Sequence, residues 1–156
     1  MKTKFRGLII NIENPAGSTR SGVDPQSKEP WSTRMPYDYG EIVGSTGVDG
    51  DPIDCFIGPD KYAKFVYVIH QLKKHSGEWD EDKCMLGWKD GESAKQAYFK
   101  CYDKPELFFG SMSVIPFKLF KTMIKSGTFS RRFMKASMYS RLEREMALHC
   151  GYAKSN

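Results

Sequence analysis

The chain has 156 residues, 40% hydrophobic and 28% charged, a balance that suits one packed domain and excludes a disordered polypeptide. Its four cysteines, Cys55, Cys84, Cys101 and Cys150, form no Cys-x-x-Cys pair, which excludes a zinc knuckle or disulfide framework and reads as free thiols in a reducing compartment. The net charge of +5 is uneven, because residues 116–156 hold nine Lys/Arg against two Glu while the remainder holds fifteen basic and seventeen acidic groups.

A near-neutral body with a basic tail attracts something anionic: nucleic acid, an acidic partner or a phosphorylated substrate. No window approaches the ~20 apolar residues of a membrane span, so the expected location is the cytoplasm, with no membrane partner.

In chain order, residues 7–13 read as a strand rich in β-branched residues, and the Pro/Gly/Ser-rich stretch Asn14 to Pro30 reads as a long loop. Short apolar pieces between residues 39 and 57, separated by Gly and Asp, suit short strands joined by tight turns. Phe65 to Gln71 is a clean strand, which pairs with Cys84 to Trp88 across a polar connection whose acidic part is Trp79 to Lys83.

From Glu92 to Tyr102 the apolar positions Ala94, Ala97, Tyr98 and Cys101 recur at spacings of three and four, which predicts a helix stopped before Pro105. Phe117 to Ile124 and Arg131 to Leu148 are also predicted helices. The charge break at Pro116 divides a body, residues 1–115, from a basic helical extension, residues 116–156, packed on the same domain.

Three aspartates, Asp49, Asp51 and Asp54, lie within six residues beside Gly50, Pro52 and Ile53. If Ile53 and Cys55 face the core, Asp54 points to the opposite face and the turn at Gly50 swings its neighbours onto that side. Converging carboxylates repel unless a cation joins them, and Mg²⁺ takes such oxygen ligands together with substrate phosphates. An Asx-turn cluster or a calcium-stabilised loop is the structural alternative; an EF-hand is excluded because no Glu closes a twelve-residue loop. His70, His75 and His149 have no spacing that suggests a metal site.

The run Asp49-Gly50-Asp51-Pro52-Ile53-Asp54-Cys55 resembles the signature of family I soluble inorganic pyrophosphatases at all seven positions, and Tyr39-Gly40 sits ten residues upstream, where that family places a phosphate-touching tyrosine. The resemblance implies an OB-like fold: mainly β (α+β), a five-stranded β-barrel with peripheral helices and, here, a C-terminal helical extension. It implies metal ligands at Asp49 and Asp54, a general base at Asp51 and a phosphate contact at Tyr39.

Looser matches are Glu13 on the first strand, Arg20, Lys28 or Arg34 as a phosphate clamp, with Arg34 favoured and Arg20 second, and Tyr102 with Lys104 standing in for the family's Tyr-Lys pair. In the acidic stretch the family's two aspartates and lysine appear compressed, so Asp80 or Glu81 completes the metal site and Lys83 contacts phosphate. The implied cofactor is Mg²⁺ in two or more copies, with Mn²⁺ as a substitute, and the implied reaction is hydrolysis of pyrophosphate to two orthophosphates.

Residues 14–22 and 80–87 look closer to the divergent pyrophosphatase-like domain of bacteriophage polyvalent proteins, which implies the host cytoplasm as location. Three competing readings remain. One is hydrolysis of a nucleotide-linked phosphoanhydride. Another is a non-catalytic structural phage protein on the same fold, and the third is a nucleic-acid-binding module that uses the basic helices. The apolar faces of the final helices could also provide a homo-oligomer contact.

Overall fold

The computed structural model describes residues 1–47 and 50–126. The strands are β1 (Lys2–Phe5), β2 (Leu8–Asn14), β3 (Thr19–Val23), β4 (Pro30–Arg34), β5 (Asp38–Ile42), β6 (Asp54–Ile57), β7 (Phe65–Leu72), β8 (Trp79–Leu86) and β9 (Phe109–Pro116), with helices α1 (Gly91–Lys100) and α2 (Phe117–Ser126). Seven strands form one sheet in the order β1-β2-β5-β6-β8-β7-β9, and β3 and β4 form a separate two-stranded ribbon. Within the sheet the β6–β8 pair is parallel and the other pairs are antiparallel.

Strand alternation divides the buried side chains between two faces. Leu8, Ile10, Ile42, Cys55, Val68, Cys84 and Ile115 belong to one cluster, completed by Phe117, Phe120 and Ile124 of α2. Tyr39, Phe56, Tyr67, Ile69 and Met85 belong to the other, roofed by Ala94, Ala97 and Tyr98 of α1. The two alanines let α1 lie close to the sheet. Its start is fixed by Asp90, whose Oδ1 accepts the Ser93 backbone N–H at 2.7 Å.

Several expectations change. The loop expected over Asn14 to Pro30 contains β3, a ribbon strand with no hydrophobic alternation to announce it. The acidic Trp79 to Lys83 stretch is the first half of β8 rather than a loop, so its side chains alternate between faces. The seven-stranded order exceeds the five strands expected, and among the described residues β1 does not pair with β9 to close a barrel.

The segment expected from residue 116, an extension packed on the same domain, opens with α2, three of whose side chains are buried in the main core. Each such burial is worth about 1.5–3 kcal/mol. The predicted helix Arg131 to Leu148 lies outside the described residues.

Candidate active site

The site sits on the α1-covered face, where β5, β6 and β8 run side by side. The loop between β5 and β6 is pinned by Ser45, whose hydroxyl donates to the Ile42 carbonyl at 2.5 Å and accepts the Ile53 N–H at 2.9 Å. Ile53 and Cys55 are buried, as their spacing predicts, and Asp54 emerges on the opposite face. Gly40 has no alternative here, because a Cβ at that position would collide with the backbone carbonyl of Asn11 on β2. Its smallness lets β2 and β5 close up, which brings Glu13 and Glu41 near Asp54.

Lys83 is the centre. It is 2% exposed, and its Nζ donates to the Tyr39 hydroxyl at 2.7 Å and to Asp54 Oδ2 at 2.7 Å, and pairs with Glu81 Oε1 at 2.6 Å. Burial opposes its charge, but Tyr102, Tyr39, Asp54 and Glu81 outweigh that penalty and hold the ammonium well above its ordinary pKa. Arg20 reaches across from the ribbon, with Cζ 4.7 Å from the centre of the Tyr39 ring. Burial works against its charge too; Tyr39, Tyr102 and Asp54 more than compensate.

The carboxylates are crowded. Glu13 is held above the ordinary range first by burial, then by the charges of Glu41 and Asp54. Glu81 is raised by burial, with Lys83 opposing and Asp54 and Asp80 adding to the rise. Burial also raises Tyr39 far above an ordinary phenol, so it remains a hydrogen-bond donor.

Of the residues expected at the site, Tyr39, Asp54, Glu81, Lys83, Arg20, Tyr102 and Glu13 are brought together. Asp80 joins at the edge, with its Oδ2 accepting from Gln71 Nε2 at 3.4 Å. Asp51 is exposed in the β5–β6 loop, three residues before Asp54, and its carbonyl accepts the Gly47 N–H at 2.7 Å. Arg34 pairs with Thr19 while Arg20 pairs with Thr33, so the two arginines lie on opposite faces of the ribbon and Arg20 is the one over Tyr39. Lys104 is exposed, in a left-handed conformation at the start of a 3₁₀ turn. Asp49 lies outside the described residues.

Two members of the site were not anticipated, nor was a second polar cluster on the opposite face of the sheet. Glu41 is two residues from Tyr39, and strand periodicity alone places it on the same face. Gln71 accepts the Tyr98 hydroxyl at 2.6 Å, linking α1 to the site. On the reverse face, His70 bridges Asp82 Oδ1 (2.7 Å, Nδ1) and Ser113 Oγ (2.8 Å, Nε2).

The donor set suits a hard divalent cation. It is all oxygen, and the charges of Glu41, Asp54 and Asp80 add to the rise that burial gives Glu13 and Glu81, a repulsion that such a cation relieves. Among the described residues Lys83 engages one oxygen of Asp54 and one of Glu81, and the second oxygen of each would be the one offered to a ligand. Among the described residues no three acidic or histidine side chains form a finished cage.

Beside the cluster lies a cavity of about 500 Å³, lined at this end by Arg20, Asp80, Glu81, Lys83 and Tyr102. Among the described residues no helix is long and apolar enough to cross a membrane. The described cysteines Cys55, Cys84 and Cys101 are free and buried, and burial pushes Cys101 up to about 12.

A family model described as Inorganic Pyrophosphatase matches residues 1–125. Among solved structures, an inorganic pyrophosphatase from Neisseria gonorrhoeae is 19% identical over 78% of this chain and 89% of its own, with a TM-score of 0.42. One from Coxiella burnetii is 14% identical over 76% and 90%, with a TM-score of 0.38. An inorganic phosphatase from Anaplasma phagocytophilum is 14% identical over 88% and 77%, with a TM-score of 0.29. No curated protein matches the chain. The family match takes in the whole sheet and every strand that contributes to the Lys83 cluster, and the chain belongs to the inorganic pyrophosphatase family.

Proposed function

We propose that the chain hydrolyses a phosphoanhydride, with inorganic pyrophosphate as the reference substrate and divalent metal as cofactor. The observation that carries this reading is the buried Lys83, held among Tyr39, Asp54 and Glu81 and bordering the cavity that Arg20 also lines.

Asp49, Asp54 and Asp80 or Glu81 are the residues that would hold Mg²⁺, with Mn²⁺ as a substitute. Bound there, the metal supplies positive charge for the phosphate oxygens and eases deprotonation of water.

The chain's own residues account for the rest. Asp51 takes the proton as the water oxygen bonds to one phosphorus. The bridging P–O bond breaks with its electron pair leaving on the second phosphate, and the two products are orthophosphates. Arg20 offers a planar fork to phosphate oxygens and Lys83 a point charge, so together they orient and neutralise the anion. Tyr39 and Tyr102 donate hydrogen bonds to it. Such fixed donors in a partly dry site need no reorganisation as charge develops.

The likeness of residues 14–22 and 80–87 to the pyrophosphatase-like domain of phage polyvalent proteins supports placing the chain in a divergent branch, acting in the host cytoplasm.

Phosphate release from pyrophosphate, measured with Mg²⁺ and again after chelation, tests the reading. Metal-dependent release supports it; no release with Mg²⁺ or Mn²⁺ defeats it.

A further inference from the structure

The cavity is larger than a bare diphosphate requires. At about 500 Å³ it falls within the range of about 300–1,000 Å³ that encloses drug-sized organic ligands. Only one end of it belongs to the Lys83 cluster. The rest is walled by the β3–β4 ribbon and the β7–β8 turn, with Trp31 and Gln26 among its lining residues.

Trp31 is 38% exposed, and its indole is held from behind. It pairs across the ribbon with Gly22, where an added Cβ would come within 2.7 Å of the indole Cζ2 and 2.9 Å of Cε2. The ring therefore rests on glycine backbone, a position that any larger residue at 22 would deny it, and it borders the cavity. A supported, partly exposed aromatic ring is a preorganised stacking platform.

Ribbon register fixes its relation to the phosphate end. Arg20 pairs with Thr33 and Gly22 with Trp31, so Arg20 and Trp31 share one face of the ribbon, offset by two residues, about 6.8 Å along the strand. Thr33, directly across the ribbon from Arg20 and two residues along β4 from Trp31, adds a residue with a hydroxyl to that face.

The ribbon is also anchored. Asp24, in its connecting loop, accepts from Lys74 Nζ at 3.0 Å and lies 3.0 Å from His75 Nε2, both on the β7–β8 turn across the cavity. Backbone and side-chain hydrogen bonds from Gln26, Lys74 and His75 hold its carboxyl well below the usual range. The platform is thus fixed in place before any ligand arrives.

We infer that the Trp31 end of the cavity is a subsite for a planar aromatic group joined through a short polar spacer to the phosphoanhydride, so that the chain takes nucleoside 5′-diphosphates or longer polyphosphates. The inference rests on the phosphoanhydride reading above and adds the organic half of the substrate. For a nucleoside diphosphate, water oxygen bonds to the terminal phosphorus. The bridging P–O bond breaks with its electron pair leaving on the nucleoside monophosphate, and the water proton passes to Asp51. The products are a nucleoside monophosphate and orthophosphate.

The test uses the full chain, as wild type, Trp31→Ala and Trp31→Phe, with folding checked by thermal melts. Turnover of ADP and of pyrophosphate is measured with Mg²⁺, and AMP binding is measured by calorimetry, which needs no turnover. Loss of one base–aromatic stack predicts that Trp31→Ala weakens AMP binding roughly ten- to hundredfold and lowers kcat/KM for ADP relative to pyrophosphate by a similar factor. Trp31→Phe stays within a few-fold of wild type.

Absence of AMP binding to the wild type overturns the inference, as does an equal fall for ADP and pyrophosphate in Trp31→Ala. Trp31-dependent AMP binding without turnover of either substrate supports the subsite and defeats only the proposed hydrolysis.

Discussion

Asp82 and Lys83 are neighbours on β8, and each anchors a buried polar cluster, one on each face of the sheet. On the Asp82 face, His70 bridges Asp82 and Ser113, and the Trp79 indole N–H donates to Asp82 Oδ1 at 3.0 Å. Its order of serine, histidine and aspartate imitates a nucleophilic triad. Ser113, however, is 2% exposed, and none of the three residues lines the cavity.

On the Lys83 face the polar groups do not balance one another. One ammonium serves two carboxylates and a phenol, further carboxylates crowd behind, and a cavity gives access. A nucleophile must be reached to react, and a binding site must hold capacity that its own residues do not use. By those criteria we read the Asp82 face as structural and propose the Lys83 face, whose Lys83, Glu81 and Asp80 line the cavity, as the one that carries the chemistry.

The largest expected effect that can break this contrast is Asp51→Asn, which keeps the side-chain shape and removes the base. Pyrophosphate turnover should fall about 10²–10⁴-fold with the melting curve unchanged, and near-normal turnover would remove Asp51 from the mechanism.

Next in size, Lys83→Met leaves Asp54 and Glu81 without their cation. Hydrogen bonds to charged groups suggest a stability loss of about 1.5–3 kcal/mol in urea unfolding, together with lost turnover. A variant as stable as wild type would mean that water already satisfies those carboxylates.

Ser113→Ala, on the reverse face, should cost about 1 kcal/mol for one buried hydrogen bond, with pyrophosphate turnover retained.

Smallest is Asp90→Ala, which uncaps the helix that roofs the functional face, at about 1 kcal/mol. Hydrogen bonds from the Ser93 side chain and backbone lower the folded-state pKa of Asp90. The cap therefore contributes fully above the unfolded value of about 3.9, and its contribution fades as pH falls below that toward the folded value. The stability difference from wild type should be full at neutral pH and shrink below about pH 4.

The Lys83 face was legible where its residues are local in sequence. Asp51, Asp54 and Tyr39-Gly40 stand at fixed short spacings, and Ile53 and Cys55 mark which way Asp54 must point. What could not be read depends on register. Arg20 and Arg34 are equivalent until the β3–β4 pairing puts them on opposite faces, and the compressed acidic stretch is ambiguous until it becomes a strand that sends Glu81 and Lys83 one way and Asp82 the other.

β3 hid because a ribbon outside the sheet needs no apolar alternation, and β9 because Gly110 and Pro116 punctuate it like a loop. The Asp82–His70–Ser113 network draws on three separate strand positions, and no spacing announces it.

The most direct test of the contrast is pyrophosphate turnover with Mg²⁺ in Asp54→Asn and Ser113→Ala, assayed side by side with melts to confirm folding. The account predicts that Asp54→Asn loses most turnover while Ser113→Ala keeps it; retained turnover in the first, or its loss in a folded Ser113→Ala, would contradict the assignment of chemistry to the Lys83 face.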